Sequence, residues 1–164
     1  MLQIKEANAN DIPLIRALSM QVWPQTYTPI IGETQVNYML NRFYAPASLM
    51  AQMESGDKFV VCYSGETPVA FASYGKTSID TYKLHKLYIL PGMQGTGIGT
   101  FVLGHIKDAV RRAGAKQLQL NVNRYNYQAK KFYEKVGFSI IRDEDIDIGD
   151  GYYMNDHVLQ IVMD

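Results

Sequence analysis

The chain carries its most informative segment at residues 87–100, which read Leu87-Tyr88-Ile89-Leu90-Pro91-Gly92-Met93-Gln94-Gly95-Thr96-Gly97-Ile98-Gly99-Thr100. A strand-like run reaches Pro91, a loop with three alternating glycines follows, and an amphipathic helix begins near Gly97. The first turn of a helix has unpaired backbone N–H groups and a partial positive charge. Glycines let the backbone approach a pyrophosphate closely. The segment therefore predicts a phosphate-binding loop at a helix start.

Three other interpretations of these glycines compete. A dinucleotide-binding fingerprint needs a third glycine where Thr100 stands, and it needs an acidic residue near position 120, where none occurs. A nucleotide P-loop needs Gly-Lys-Ser/Thr, which the sequence lacks. A glycine-rich turn that binds no ligand is the third interpretation, and the glycine pattern alone leaves it open.

Hydrophobic periodicity predicts strands and helices on both sides of this segment. The predicted strands are Leu2–Ala7, Lys58–Ser64, Pro68–Tyr74, Tyr82–Leu90, Gln117–Val122, Ser139–Arg142 and Tyr152–Met163. The first predicted helix is capped by Asn10 and Asp11 and ends at Pro24. The other predicted helices are Thr34–Phe43, Ala47–Ser55, Gly97–Ala113 and Asn126–Val136. This order predicts one α/β domain over residues 1–164, with a mixed sheet and helices on both of its faces.

Composition excludes several classes of protein. The 16 basic and 16 acidic residues give zero formal net charge, so we expect no nucleic-acid or membrane partner. The start of the chain lacks the apolar core of a signal peptide, and a cytoplasmic location is the expectation. Cys62 is the only cysteine, and the three histidines lack metal-ligand spacing, so we expect neither a disulfide nor a metal.

Two blocks of the sequence resemble the GNAT superfamily of N-acetyltransferases. Residues 94–99 match its acyl-CoA motif, Gln/Arg-x-x-Gly-x-Gly/Ala. Residues 126–138 resemble the segment Asn-x-x-Ala-x-x-Phe-Tyr-x-x-x-Gly-Phe of its last helix. The resemblance implies a mostly antiparallel sheet of about seven strands and an enzyme that uses acetyl-CoA. Weaker similarity to bacterial polyamine acetyltransferases lies in residues 23–40 and 151–154.

The resemblance also implies which residues bind the acyl donor. Backbone amides of the loop would hold the CoA pyrophosphate, and the strand before the loop would pair with the pantetheine arm across a gap to the fifth strand. The N–H of Ile89 is the candidate oxyanion donor. The implied cofactor-binding residues are Leu87, Tyr88, Ile89, Gln94, Gly95, Thr96, Gly97, Ile98, Gly99, Thr100, Asn126 and Tyr133.

Tyr133 is the candidate general acid. Asn126 and Tyr133 are seven residues apart, which places them within roughly 20° of one helix face. By the resemblance, Asn126 would hydrogen-bond the pantetheine, and Tyr133 would protonate the departing CoA sulfur. Simple packing of Tyr133 against Phe132 is the alternative.

The acceptor amine must lose a proton before it attacks, which requires a base. Relatives carry a glutamate at the position of His85, whose imidazole can accept a proton near neutral pH. Strand alternation predicts that His85 shares a face with Leu87 and Ile89. A cleft-lining role without proton transfer is the alternative for His85.

The acceptor pocket of the family would include Trp23, Tyr27 and Tyr38, for which ordinary core packing is the alternative. The acidic run 143–150 could attract a polyamine, although a solvated hairpin loop is favoured.

The function that we predict is transfer of acetyl from acetyl-CoA to a primary amine by direct attack in a ternary complex. The acceptor would be a small amine or polyamine. A protein N-terminal or lysine acetyltransferase and a non-catalytic acyl-CoA sensor remain the two alternatives. Homodimers occur in the family, and the sequence leaves the oligomeric state open.

Overall fold

The computed structural model describes residues 1–164, which form seven strands and five α-helices. The strands are β1 (Leu2–Ala7), β2 (Lys58–Ser64), β3 (Thr67–Lys76), β4 (Thr81–Ile89), β5 (Gln117–Asn123), β6 (Ser139–Gly149) and β7 (Tyr152–Val162). The helices are α1 (Ile12–Ile31), α2 (Glu33–Phe43), α3 (Pro46–Glu54), α4 (Ile98–Arg112) and α5 (Tyr127–Lys135). None of these helices combines the length and the apolar character that crossing a membrane requires.

All seven strands belong to one sheet, in the order β1-β2-β3-β4-β5-β7-β6. Only the β4–β5 pair is parallel, and every other neighbouring pair is antiparallel. The single parallel pair follows from the connection through α4, because parallel strands need a long crossover. The prediction of a mixed, mostly antiparallel sheet of about seven strands is confirmed.

Helices cover both faces of the sheet, as predicted. Helices α4 and α5 lie on one face, which we call the α4 face. There Val102 and Ile106 of α4 pack with Leu118 and Leu120 of β5. Helices α1, α2 and α3 lie on the other face, the α1 face, where Ile15, Val36 and Leu49 pack with Phe59 and Phe71. Alternation along each strand sends successive side chains to these two separate cores.

The first helix begins after Asp11, as predicted, but ends later than predicted. Asp11 is the N-cap residue of α1, but its side chain makes no capping bond to that helix. A 3₁₀ turn at Ala9–Asp11 precedes α1, and Asn8 caps this turn by accepting from Asn10 N–H at 2.9 Å, while Asp11 accepts from Asn8 N–H at 2.9 Å. Pro24 does not end the helix, which continues through Pro24 and Pro29 to Ile31. A proline removes one backbone hydrogen bond, but burial of the neighbouring apolar side chains holds the helical path.

The acidic run 143–150 is not the hairpin loop that we favoured. Strand β6 continues to Gly149, and its residues pair with β7 from Ser139↔Gln160 to Gly149↔Tyr152. Asp143 lies 2.5 Å from the His157 ring, and Asp145 forms an ion pair with Arg124 at 2.5 Å. These partners on neighbouring segments explain how an acidic sequence is accommodated in a strand.

Candidate active site

The sheet opens between β4 and β5. The two strands pair from Thr81↔Gln117 to Leu84↔Leu120, residues 86–89 of β4 pair only with β3, and His85 pairs with neither strand. On the β3 side, Leu90 N–H donates to Val69 O at 2.9 Å. Because successive N–H groups of a strand point in opposite directions, the N–H of Ile89 points toward the open edge.

A cavity of about 600 Å³ occupies this opening. Its walls include Gln25, Thr26 and Tyr27 from α1 on one face and Gly99 and Tyr133 from α4 and α5 on the other. The cavity therefore reaches both faces of the sheet, so two reactants can enter from opposite sides. The predicted site residues that line it are Tyr27, His85, Leu87, Tyr88, Ile89, Gln94, Gly95, Gly97, Gly99, Thr100, Asn126 and Tyr133.

Unpaired backbone donors surround one mouth of the cavity. Gly95 and Gly97 have φ of +78° and +86°, a conformation that favours glycine. Gly97 is the N-cap of α4 and offers no side-chain cap. The N–H groups from Gly95 to Thr100 donate to no acceptor in the protein. This arrangement fits a phosphate group, which would accept hydrogen bonds from the loop and benefit from the helix dipole.

Gly99 lets three elements meet at this mouth. A Cβ at Gly99 would lie 3.1 Å from Ile89 Cδ1 and 3.2 Å from Phe132 Cζ, which is too close for an ordinary contact. Two loop residues contribute no side chain to the cavity. Ile98 is buried in the core of the α4 face, and the Thr96 hydroxyl donates to Met93 O. Their expected roles therefore depend on their backbone amides alone.

Tyr133 both packs in the core and lines the cavity. It is 8% exposed, and its ring contacts Phe132 and Phe138 edge-on at centroid distances of 5.1 Å and 5.6 Å. Burial, and then the nearby Tyr27 phenol, raise the pKa of Tyr133 above its usual range. The phenol is therefore protonated at neutral pH. Asn126 caps α5 by accepting from Ala129 N–H at 3.3 Å, and it lines the same cavity.

His85 lies on the opposite face from the one predicted. The β3–β4 register shifts between Ser73↔Lys86 and Tyr74↔Leu84, so His85 is the extra residue of a β-bulge. Its ring lies on the α1 face, where Nε2 is 3.3 Å from Asp57 Oδ1. Burial lowers the pKa of His85 more than Asp57 raises it, so the imidazole is neutral at neutral pH.

Lys86 is a cavity residue that the sequence reasoning missed. Its ammonium Nζ donates to Gln52 Oε1 at 2.8 Å and lies 5.3 Å from the Tyr44 ring centroid and 5.8 Å from that of Phe59. Burial lowers the pKa of Lys86 to about 8, although the charge of Asp57 opposes the shift. No motif marks this residue, because its partners Gln52, Tyr44 and Phe59 come from segments that are distant in sequence.

The predicted acceptor-pocket aromatics separate in the structure. Tyr27 lines the cavity, and its ring lies 4.4 Å from that of Trp23. Trp23 is 5% exposed, and its Nε1–H donates to Tyr44 Oη at 3.2 Å. Trp23 therefore packs against Tyr27 in the core and does not line the cavity itself. Tyr38 lies outside the cavity, where its hydroxyl donates to Ile148 O. No cluster of three or more metal-ligating side chains is present.

Known proteins similar to this chain include several N-acetyltransferases. An uncharacterised N-acetyltransferase of Mycobacterium bovis is 35% identical over 77 residues, which cover 47% of this chain and 49% of that protein. The chain thus spans about half the length of that relative. A spermidine N(1)-acetyltransferase of Thermoplasma acidophilum is 22% identical over 154 residues, covering 91% of this chain and 93% of that protein. A peptidyl-lysine N-acetyltransferase of Escherichia coli is 29% identical over 120 residues, covering 73% and 69%.

Solved structures have the same fold. The PaiA N-acetyltransferase of Thermoplasma acidophilum, crystallised with coenzyme A, superposes with a TM-score of 0.84 at 20% identity over 99% of both chains. At this identity the likeness concerns the fold. The family model described as the acetyltransferase (GNAT) family matches residues 19–138, more than half of the sequence, and the chain therefore belongs to the GNAT acetyltransferase family.

Proposed function

We propose that the protein is an acetyl-CoA-dependent N-acetyltransferase that acetylates a primary amine, with a polyamine as the favoured acceptor. One observation carries this proposal. The opening between β4 and β5 places an unpaired strand edge beside a run of unpaired amides at the start of α4. A CoA thioester has a pyrophosphate for the amides and amide groups along its pantetheine arm for the strand edge.

The acyl donor would enter from the α4 face. Amides from Gly95 to Thr100 bind the pyrophosphate, and the open edge at Leu87 to Ile89 pairs with the pantetheine arm. Asn126 at the start of α5 hydrogen-bonds the same arm from the other side of the opening. The thioester carbonyl then lies near Ile89 N–H, which stabilises the oxyanion as it forms.

The chemical step is direct aminolysis of the thioester. The neutral amine nitrogen attacks the carbonyl carbon, an N–C bond forms, and the C–S bond breaks. Tyr133 O–H donates its proton to the departing sulfur, and the proton that leaves the nitrogen restores the balance through solvent or a base. Cys62 takes no part as a nucleophile, because it is 1% exposed and burial raises the pKa of its thiol.

His85 is the candidate base for the acceptor amine. The bulge places it on the α1 face, and it lines the cavity that the acceptor would enter from that side. Its lowered pKa keeps the imidazole unprotonated at neutral pH, as a base requires. Asp57, 3.3 Å from Nε2, would orient the ring.

The similarity to a spermidine N(1)-acetyltransferase over 91% of the chain favours a polyamine acceptor. The aromatic wall of Tyr27 and Tyr88 suits the aliphatic and ammonium parts of such an amine. The similarity to a peptidyl-lysine N-acetyltransferase favours a protein amine as the second candidate. Both acceptors present the same reactive group, a primary amine on an aliphatic chain.

A thiol-release assay with acetyl-CoA and a panel of polyamines and peptides tests the proposal, with mass spectrometry to identify the acetylated product. We expect thiol release with polyamines well above the rate without acceptor. Preferential acetylation of lysine or N-terminal peptides would shift the assignment to a protein acetyltransferase. Tight acetyl-CoA binding without thiol release for any acceptor would identify an acyl-CoA sensor instead.

A further inference from the structure

Strand β5 presents one polar side chain to the cavity from the α1 face. Leu120 and Val122 belong to the core of the α4 face, so alternation sends Asn121 to the other side, and Asn121 lines the cavity. The amide Nδ2 of Asn121 donates to Asp156 Oδ2 at 3.1 Å. This bond leaves Asn121 Oδ1 as a buried acceptor without any hydrogen-bond partner.

Asp156 is a buried carboxylate on the neighbouring strand β7. It lies on β7 opposite Asn123, is 4% exposed and takes part in no ion pair. The nearby Arg124 guanidinium is directed instead to Asp145, at 2.5 Å. Burial raises the pKa of Asp156 above its usual range, although the hydrogen bond from Asn121 and the charges of Lys83 and Arg124 oppose the shift. Carboxylates with perturbed pKa values occur preferentially at functional sites.

The pair lies close to the reacting groups of the proposed mechanism. The charge of Asp156 contributes to the raised pKa of Tyr27, and Tyr27 in turn contributes to that of Tyr133. Asn121, Tyr27 and Tyr133 all line the one cavity. An acceptor oxygen without a partner on Asn121 and the negative charge of Asp156 therefore lie together, and the charge acts on Tyr27 of the same cavity.

We infer that Asn121 and Asp156 form the subsite that receives the ammonium group of the acceptor. Asn121 Oδ1 accepts a hydrogen bond from the amine, and Asp156 holds the amide in that orientation and supplies the attracting charge. The inference rests on the proposed function, and it applies to polyamine and peptide acceptors alike, because both carry an ammonium group. Asp156 is thus a positioning residue, whereas Asn121 contacts the acceptor.

The test is Asp156→Asn, which keeps the shape of the side chain and removes the charge. Steady-state kinetics use spermidine and a lysine-containing peptide as acceptors, calorimetry gives the affinity for acetyl-CoA, and thermal unfolding gives the Tm. Asp108→Asn is the matched control, because it removes one negative charge from an exposed position on α4 that lies outside the cavity. Asn121→Ala tests the contact itself.

We expect Asp156→Asn and Asn121→Ala to raise the acceptor KM at least tenfold, with kcat changed less than threefold and acetyl-CoA affinity unchanged. We expect Asp156→Asn also to raise Tm by about 2–4 °C, because the unpaired buried charge is gone. The control should keep its acceptor KM within twofold of the wild type.

An unchanged acceptor KM in Asp156→Asn would overturn the inference and leave the proposed function intact. A lower Tm with equal losses of kcat and acetyl-CoA affinity would also overturn it, because Asp156 would then be purely structural. Wild-type protein that binds no acetyl-CoA and releases no thiol would overturn the proposed function and this inference with it.

Discussion

Replacing Tyr133 with phenylalanine removes the proposed proton donor and little else. The ring contacts with Phe132 and Phe138 do not involve the hydroxyl, so the packing of a residue that is 8% exposed should survive. General acids contribute roughly 10²–10⁴-fold to rate. Because the open cavity admits water as a substitute donor, we expect the lower part of this range or less. The predicted loss in kcat is about ten- to a hundredfold, or about 1.4–2.7 kcal/mol in the activation free energy.

The measurement is thiol release at saturating acetyl-CoA and acceptor, with calorimetry to show that acetyl-CoA affinity stays within about twofold. Tyr125→Phe is the control, since Tyr125 is 57% exposed and lies outside the cavity. The raised pKa of Tyr133 adds a second check, because kcat of the wild type should show no loss from tyrosine ionisation up to about pH 10. A Tyr133→Phe enzyme with wild-type kcat would refute the acid role.

Two further predictions concern the loop and the buried lysine. Gly97→Ala places a Cβ at φ +86° at a cost of about 1–2 kcal/mol, and displaced amides should weaken acetyl-CoA binding at least tenfold by calorimetry. Gly104→Ala, in the open part of α4, should leave affinity unchanged; equal affinities for both variants would contradict the role of the loop. The pKa of Lys86 falls to about 8 on folding. Between about pH 8 and 10.4 the folded chain therefore binds fewer protons than the unfolded chain. The free energy of unfolding should consequently rise with pH in this window. Lys86→Met should lose this rise, and its free energy of unfolding at pH 7, measured by chemical denaturation, should exceed that of the wild type by about 1–3 kcal/mol. A less stable variant that keeps the wild-type pH dependence would show that other interactions compensate for burial of the ammonium.

Much of the fold follows from local sequence patterns. The apolar stripe of α4 and the alternation of β5 are strong periodic signals, and both elements form within a few residues of their predicted bounds. The family motifs also located the cavity correctly, because most of the loop and α5 residues that they implied do line it. A motif can locate such a cavity because the loop that forms its mouth is a contiguous segment, whereas the binding roles of these residues stay predictions.

The features that the sequence did not reveal depend on tertiary context. Pro24 lies inside a helix because burial of its neighbours outweighs one lost hydrogen bond. His85 faces α1 because a bulge shifts the register of β4, which strand alternation cannot anticipate. Asp156 lies outside every motif in the sequence, and only the pairing of β5 with β7 brings it to Asn121.

The central claim is that the backbone amides at the start of α4 bind the pyrophosphate of CoA. An amide-resolved NMR titration of the protein with CoA tests it most directly. We expect the largest chemical-shift changes on Gly95, Gly97, Gly99 and Thr100, whereas Gly65 in the β2–β3 turn should stay unchanged. CoA binding that leaves the loop amides unperturbed while shifting amides elsewhere would contradict it.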